Sequence, residues 1–235
     1  MCGRFTLIRL ADFTDLFPWI VAPQAPPGAR YNIAPAQAVA AVANHKRPKV
    51  EFYQWGLIPS WAKDPSIGQR MINARAETLA QKPAFRTALR RRRCLIPADG
   101  FYEWRRNRDG SKTPVYIRMA SGRPFAFAGL WDEWHGPDGS VAPSCTIITT
   151  TPNELVRGIH DRMPVILMED VYRQWLEPGE KAAEEIAGLL LPYPAGQMTA
   201  VEVSRAVNNP KNDSAECIKE VGSGGKTGML FPQEG

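Results

Sequence analysis

Cysteine and histidine are scarce in this 235-residue chain, and the scarcity removes whole classes of chemistry. The four cysteines (Cys2, Cys94, Cys145, Cys217) lie far apart with no C-x-x-C pair, and His45, His135 and His160 are equally scattered. That spacing argues against a structural zinc site and against a disulfide framework, so reduced thiols in a reducing compartment are the expectation. No apolar run approaches the ~20 residues that span a bilayer, and no basic-then-apolar leader opens the chain. A cytoplasmic protein without a membrane partner follows. No segment repeats another, which excludes a solenoid or an array.

What is present describes a soluble globular protein. Hydrophobic residues make up 44% and charged residues 23%, within the ordinary range, and the length fits one large domain with a substantial core. The net charge of +5 favours a polyanionic partner. Arginine supplies much of that charge, most densely at Arg90-Arg91-Arg92-Arg93. Successive helical positions point in different directions, so this run is expected to be a solvated helix end rather than a phosphate clamp.

The hydrophobic pattern alternates through most of the centre of the chain. It predicts strands over 5–8, 38–43, 50–57, 94–97, 100–104, 114–119, 125–131, 144–150 and 199–204. In the 50–57 strand, Phe52 and Gln54 share one face, Tyr53 and Trp55 the other. Short helices are expected over 11–17, ended by Pro18, and from Pro83 to Arg91 with proline in its first turn. A further brief helix starts at Thr151-Pro152-Asn153-Glu154, read with Thr151 as its cap. The only long helical stretch is expected over 169–176 and 179–190. Strands at the centre and helices outside it give an α+β class, a single domain with an antiparallel, barrel-like sheet core flanked by helices. The domain is expected over residues 1–215, with 216–235 as a flexible tail.

The chemistry begins at Met1-Cys2-Gly3-Arg4-Phe5. A small residue directly after the initiator methionine favours methionine removal, which would expose Cys2 as the first residue. Amine and thiol then sit on adjacent carbons, with reference pKa values of ~7.7–8.0 and ~8.5. With an aldehyde, the amine condenses to an imine and the thiol closes on the imine carbon as a thiazolidine. The plainer alternative makes Cys2 a small apolar residue at a frayed end. Gly3, Arg4 and the following strand argue for an end that is tied down.

Three other segments place polar groups among apolar ones. Glu103, between Tyr102 and Trp104, is either the solvent-facing member of an alternating strand or a desolvated acid with a raised pKa. His160 lies beside Asp161 and Arg162 at a helix-to-loop junction, and is structural or a proton carrier. Asn73, two before Arg75, serves turn chemistry or donates an amide hydrogen bond. Trp61 is a core plug or a platform on which a base stacks. Taken with Cys2, these residues supply a nucleophile, a carboxylate, an imidazole and an amide, the parts of a covalent mechanism.

Several blocks together resemble one family. Met-Cys-Gly-Arg-Phe opens the chain, followed by Arg-Tyr-Asn-Ile-Ala-Pro at 30–35, Trp-Gly-Leu-Ile-Pro at 55–59 and Ile-Asn-Ala-Arg-Ala-Glu-Thr at 72–78. Cys-Leu-Ile-Pro-Ala-Asp-Gly-Phe-Tyr-Glu-Trp at 94–104, Ile-His-Asp-Arg-Met-Pro at 159–164 and Val-Ser-Arg-Ala-Val-Asn at 203–208 complete the order. The set is similar to the SOS-response-associated peptidase family, the abasic-site processing proteins. The resemblance implies a covalent sensor of abasic sites in single-stranded DNA, with Cys2, Asn73, Glu103 and His160 as the site. It implies Gly3, Arg4, Arg75 and Arg162 as DNA contacts, and Pro35 and Trp61 as residues that block or stack on the strand at a single-strand/duplex junction. No cofactor and no metal are expected, the location is expected to be nucleoid-associated, and a monomer is the default. Departures from the family pattern fall at 105–112, at 132–142 and past Asp213. Rival readings are a cysteine peptidase or autoprocessing enzyme using Cys2 and His160, and a non-covalent single-strand-binding module.

Overall fold

The computed structural model describes residues 2–222; Met1 and most of the expected tail, 223–235, lie outside the described residues. Strands dominate it: β1 (Phe5–Leu7), β2 (Arg30–Ile33), β3 (Ala38–Ala43), β4 (Val50–Trp55), β5 (Asn73–Arg75), β6 (Arg93–Ala98), β7 (Gly100–Arg106), β8 (Lys112–Met119), β9 (Phe125–His135), β10 (Val141–Thr150), β11 (Met163–Pro164) and β12 (Met198–Glu202). The helices are short: α1 (Leu10–Leu16), α2 (Pro83–Arg91), α3 (Glu154–Arg157), α4 (Tyr172–Trp175) and α5 (Ala183–Ala187). No helix among the described residues is long and apolar enough to cross a membrane.

The α+β class with a barrel-like core is what the structure has. Strands β4, β3, β6, β9 and β10 pair in that order, and β10 closes the ring by pairing with both β9 and β4. Closure removes both sheet edges. The pairing that closes it, Ser144 to Gln54 and Cys145 to Trp55, is parallel in an otherwise antiparallel barrel. Such a pairing needs a long crossover rather than a tight turn. A second, antiparallel sheet runs β12-β8-β7-β1-β2. Phe5 of this sheet packs edge-on against Trp55 and Phe127 of the barrel, with ring centroids 5.2 and 5.7 Å away. The expected faces of β4 hold: Tyr53 and Trp55 are buried, and Phe52 is exposed.

Four expectations are corrected. The cap of α3 is Asn153, whose side chain accepts from the Val156 amide at 2.9 Å, rather than Thr151. An Asx side chain set immediately before the helix reaches the third amide of the turn, and Thr151 stands too early to do so. The break between the helices expected over 169–176 and 179–190 holds, and a 3₁₀ turn with α4 covers 169–175, but the second helix shrinks to α5, because Gly179 at φ +95° cannot open it. The arginine run is not uniformly solvated: Arg93 is 0% exposed. Its guanidinium donates to the carbonyls of Trp175 (2.9 Å), Arg90 (2.6 Å) and Glu177 (2.7 Å), uniting the C-terminal ends of α2 and α4. Finally, the packed chain passes the boundary expected at 215. Residues Ala215–Ile218 form a 3₁₀ turn with Cys217 buried, and the Val221 amide donates to Glu202 at 3.0 Å.

Candidate active site

The candidate residues come from four separate stretches of chain, and the seam between the two sheets collects them. Antiparallel pairing of β1 with β7 aligns Phe5 with Phe101, and the Tyr102 amide donates to the Arg4 carbonyl at 3.0 Å. The leading residues therefore run alongside β7 toward Glu103. Cys2 is 0% exposed there, far from the frayed end of the plainer reading. From the barrel side, β5 adds to β10 in parallel, Ile147 to Asn73 and Thr149 to Arg75. This brings the Asn73 side chain onto Cys2, its Nδ2 donating to the Cys2 carbonyl at 2.8 Å. Asn73 Oδ1 is buried and has no hydrogen-bond partner among the described residues.

The placement of β5 depends on a close backbone approach. Gly56 sits at φ +131°, and a Cβ there would lie 2.5 Å from the Gly68 carbonyl oxygen. On either side of Gly56 the chain grips the approach to Asn73: the Leu57 amide donates to the Met71 carbonyl at 3.1 Å, and Trp55 Nε1 to the Ile72 carbonyl at 2.9 Å. The glycine of the 55–59 block thus serves the asparagine of the 72–78 block.

Glu103 is 3% exposed, which settles its two readings in favour of a desolvated acid. Burial pushes its carboxyl up from 4.5 to about 7, with the Asp161 charge adding to the rise. His160 follows α3 and sets Nε2 3.9 Å from Glu103 Oε2. Its Nδ1 lies 3.1 Å from the Arg162 amide, which donates to it, and 2.8 Å from Asp161 Oδ1. Nδ1 therefore meets an amide donor and a carboxylate, while Nε2 faces Glu103. Desolvation lowers the His160 pKa, favouring the neutral ring. Burial, reinforced by the Glu103 charge, pushes the Cys2 thiol well above its ordinary range.

The arginines differ in availability. Arg4 is engaged: Nη1 donates at 2.8 Å both to Asn32 Oδ1 and to the Val207 carbonyl, and the guanidinium lies 5.8 Å from the Trp104 ring. Arg162 is gripped by Glu77 and by the Thr149 carbonyl. Arg75 is exposed. Gly3 is half-buried beside Cys2, and Pro35 is half-buried before Ala36, which takes φ +67°. Trp61 is 59% exposed and is no core plug; Trp134 fills that role, its Nε1 donating to the Ala62 carbonyl at 2.7 Å. Asn32, buried on β2, holds Arg4 in place, and its Nδ2 also donates to the Asn212 carbonyl at 2.7 Å. In the sequence its signal is an asparagine beside the apolar end of a strand, between Tyr31 and Ile33.

Comparison with known proteins sets this geometry among relatives. The family model described as SOS response associated peptidase (SRAP) matches residues 1–210. The abasic site processing protein YoqW of Bacillus subtilis is 47% identical over 224 residues, covering 93% of this chain and 99% of the relative. YedK of Escherichia coli, also an abasic site processing protein, is 33% identical over 229 residues, covering 94% and 100%. For HMCES of Xenopus tropicalis the identity is 34% over 191 residues, 72% of this chain but 56% of the relative. A crystal structure of a Bacteroides thetaiotaomicron protein superimposes with a TM-score of 0.84 at 26% identity, covering 94% of this chain and 100% of that one.

Proposed function

The chain belongs to the SOS response associated peptidase family, and we propose that it captures abasic sites in single-stranded DNA by covalent reaction at Cys2. The observation that carries this reading is the burial of Cys2 against Asn73, beside a carboxyl whose pKa stands at about 7. The relatives named for abasic-site processing, up to 47% identical across nearly the whole chain, support the lesion as substrate.

An abasic deoxyribose equilibrates between a closed ring and an open aldehyde. Loss of Met1 frees the Cys2 amine, which adds to C1′ and expels water as the imine forms. The Cys2 thiol then adds across the imine carbon, its proton passes to nitrogen, and a thiazolidine joins protein to DNA. Burial that keeps the thiol protonated favours the amine as first nucleophile. Glu103, near neutral pKa, donates the proton that the departing water needs and accepts one when the sugar opens. A neutral His160 carries protons at the sugar oxygen and in reversal of the crosslink. Asn73 anchors Cys2 through its carbonyl, and the buried Oδ1 is the acceptor for the freed amine. Holding amine, thiol and aldehyde together makes closure intramolecular, worth up to ~7–11 kcal/mol in favourable cases.

Arg4, Arg75 and Arg162 hold flanking phosphates, with Gly3 giving the backbone close approach. Exposed Trp61 and the Pro35 turn meet the strand at a junction with duplex, and the working unit is a monomer. The burial that raises the Cys2 thiol weighs against a peptidase, whose nucleophile is a thiolate. Intact mass spectrometry after incubation with an abasic single-stranded oligonucleotide tests the reading. The expected product lacks Met1 and gains the oligonucleotide mass less one water, and Cys2→Ser forms no heat-stable adduct. An adduct of the same yield from Cys2→Ser, or from protein with a blocked first nitrogen, overturns it. Cleavage of a peptide panel that is lost in Cys2→Ala would favour the peptidase.

A further inference from the structure

Glu77 stands in the 72–78 block between the exposed Arg75 and the helix-bearing segment beyond, and the proposed chemistry gives it no part. Its two carboxylate oxygens accept from the two terminal nitrogens of Arg162, at 2.7 Å to Nη1 and 3.0 Å to Nη2. This is the forked, bidentate geometry in which a guanidinium also takes a phosphate. Arg162 is otherwise fixed by the Thr149 carbonyl at 2.7 Å, and its side chain is only 13% exposed. Its Nε is buried with no hydrogen-bond partner among the described residues. Glu77 by contrast is 47% exposed. An enclosed cation thus meets a solvent-facing anion at the rim of the site.

We propose that Glu77 occupies the phosphate position of Arg162 in the free protein, as an internal competitor that a DNA phosphate displaces. The inference rests on the reading of Arg162 as a phosphate contact. Arg162 serves this purpose by being held ready from the other side: the Thr149 carbonyl fixes its guanidinium whether Glu77 or a phosphate fills the fork. Its own amide donates to His160 at 3.1 Å, so the exchange occurs on the segment that carries the imidazole. Glu77 is a positioning and gating residue, not a catalytic one. Occupation by a carboxylate also raises the threshold for stray anions, since each must first break a bidentate pair.

The test measures binding of a single-stranded oligonucleotide with a central tetrahydrofuran, an abasic analogue that has no aldehyde and forms no crosslink. Glu77→Gln keeps the shape and removes the charge. It is expected to bind this probe about three- to fivefold more tightly, the size of one exposed ion pair removed from competition. Arg162→Ala is expected to weaken binding, and adding Glu77→Gln to it should then change nothing, because Glu77 acts through Arg162. Glu77→Ala, with an unchanged melting temperature as the check on folding, should match Glu77→Gln. Equal or weaker binding by Glu77→Gln and Glu77→Ala overturns the proposal, and so does the same gain in the Arg162→Ala background, which would mean general repulsion. The assay never requires crosslinking. Failure of the wild type to form an adduct with a true abasic site, while it still binds the analogue, would instead sink the proposed reaction.

Discussion

Glu103 shows at the scale of one residue how burial creates reactivity at a cost in stability. Its carboxyl rises from 4.5 to about 7 because the folded chain desolvates it. Below pH 4.5 the group is protonated in both states and costs nothing. Between there and pH 7 the unfolded chain ionises while the native one holds its proton, so stability falls as pH rises, and the loss is complete above pH 7. Replacing it removes that burden. Glu103→Gln should be more stable than wild type at pH 8, by about 3 kcal/mol, with the advantage fading toward pH 4. The same variant should crosslink about 10²-fold or more slowly. Urea melts at the two pH values check the first half; an equal difference at both would refute it. Asn73→Ala is expected to slow crosslinking about tenfold while leaving affinity for uncrosslinkable DNA unchanged, since its hydrogen bond holds Cys2 and touches no phosphate. Neither role could be read from alternation alone. A period-two pattern says which side chains share a face, not what later covers that face.

Elements behave differently, because their limits are set locally. The pattern over 83–91 and 38–43 gave α2 and β3 to the residue, where proline at the first turn and an unbroken apolar run leave little choice. It failed over 179–190, where Gly179 takes a left-handed φ and only Ala183–Ala187 is helical, and over the arginine run, where one member turns inward. Arg93→Met should destabilise the protein by about 3 kcal/mol or more, since it strips a cation from several buried carbonyls at two helix ends. Denaturant midpoints would show it. Gly56→Ala should lower the melting temperature and also slow crosslinking in the fraction that remains folded. The added Cβ meets backbone at Gly68 and loosens the loop that delivers Asn73. Normal crosslinking in that variant would break the link argued between the two blocks.

For the whole molecule the sheets act as an assembly jig, and charge governs the approach of DNA. With a net charge of +5, affinity for single strands should fall log-linearly with salt, by a slope of about −0.7 per phosphate neutralised. Arg75→Ala should flatten that slope by about one contact, an outcome filter-binding titrations can read. Sequence alone determined the inventory: the cysteine at position 2, the ordered blocks, the basic balance, the class of fold and most strand positions. These rest on local periodicity and covalent order, which need no partner to be expressed. Tertiary structure decided that Cys2 is buried rather than frayed, that Glu103 faces the seam, that Trp61 stays outside and that Glu77 grips Arg162. Each depends on pairings between segments remote along the chain, such as β1 with β7 and β5 with β10. Desolvation belongs to an enclosure and not to a residue, so the field that tunes these groups exists only once both sheets have closed around them.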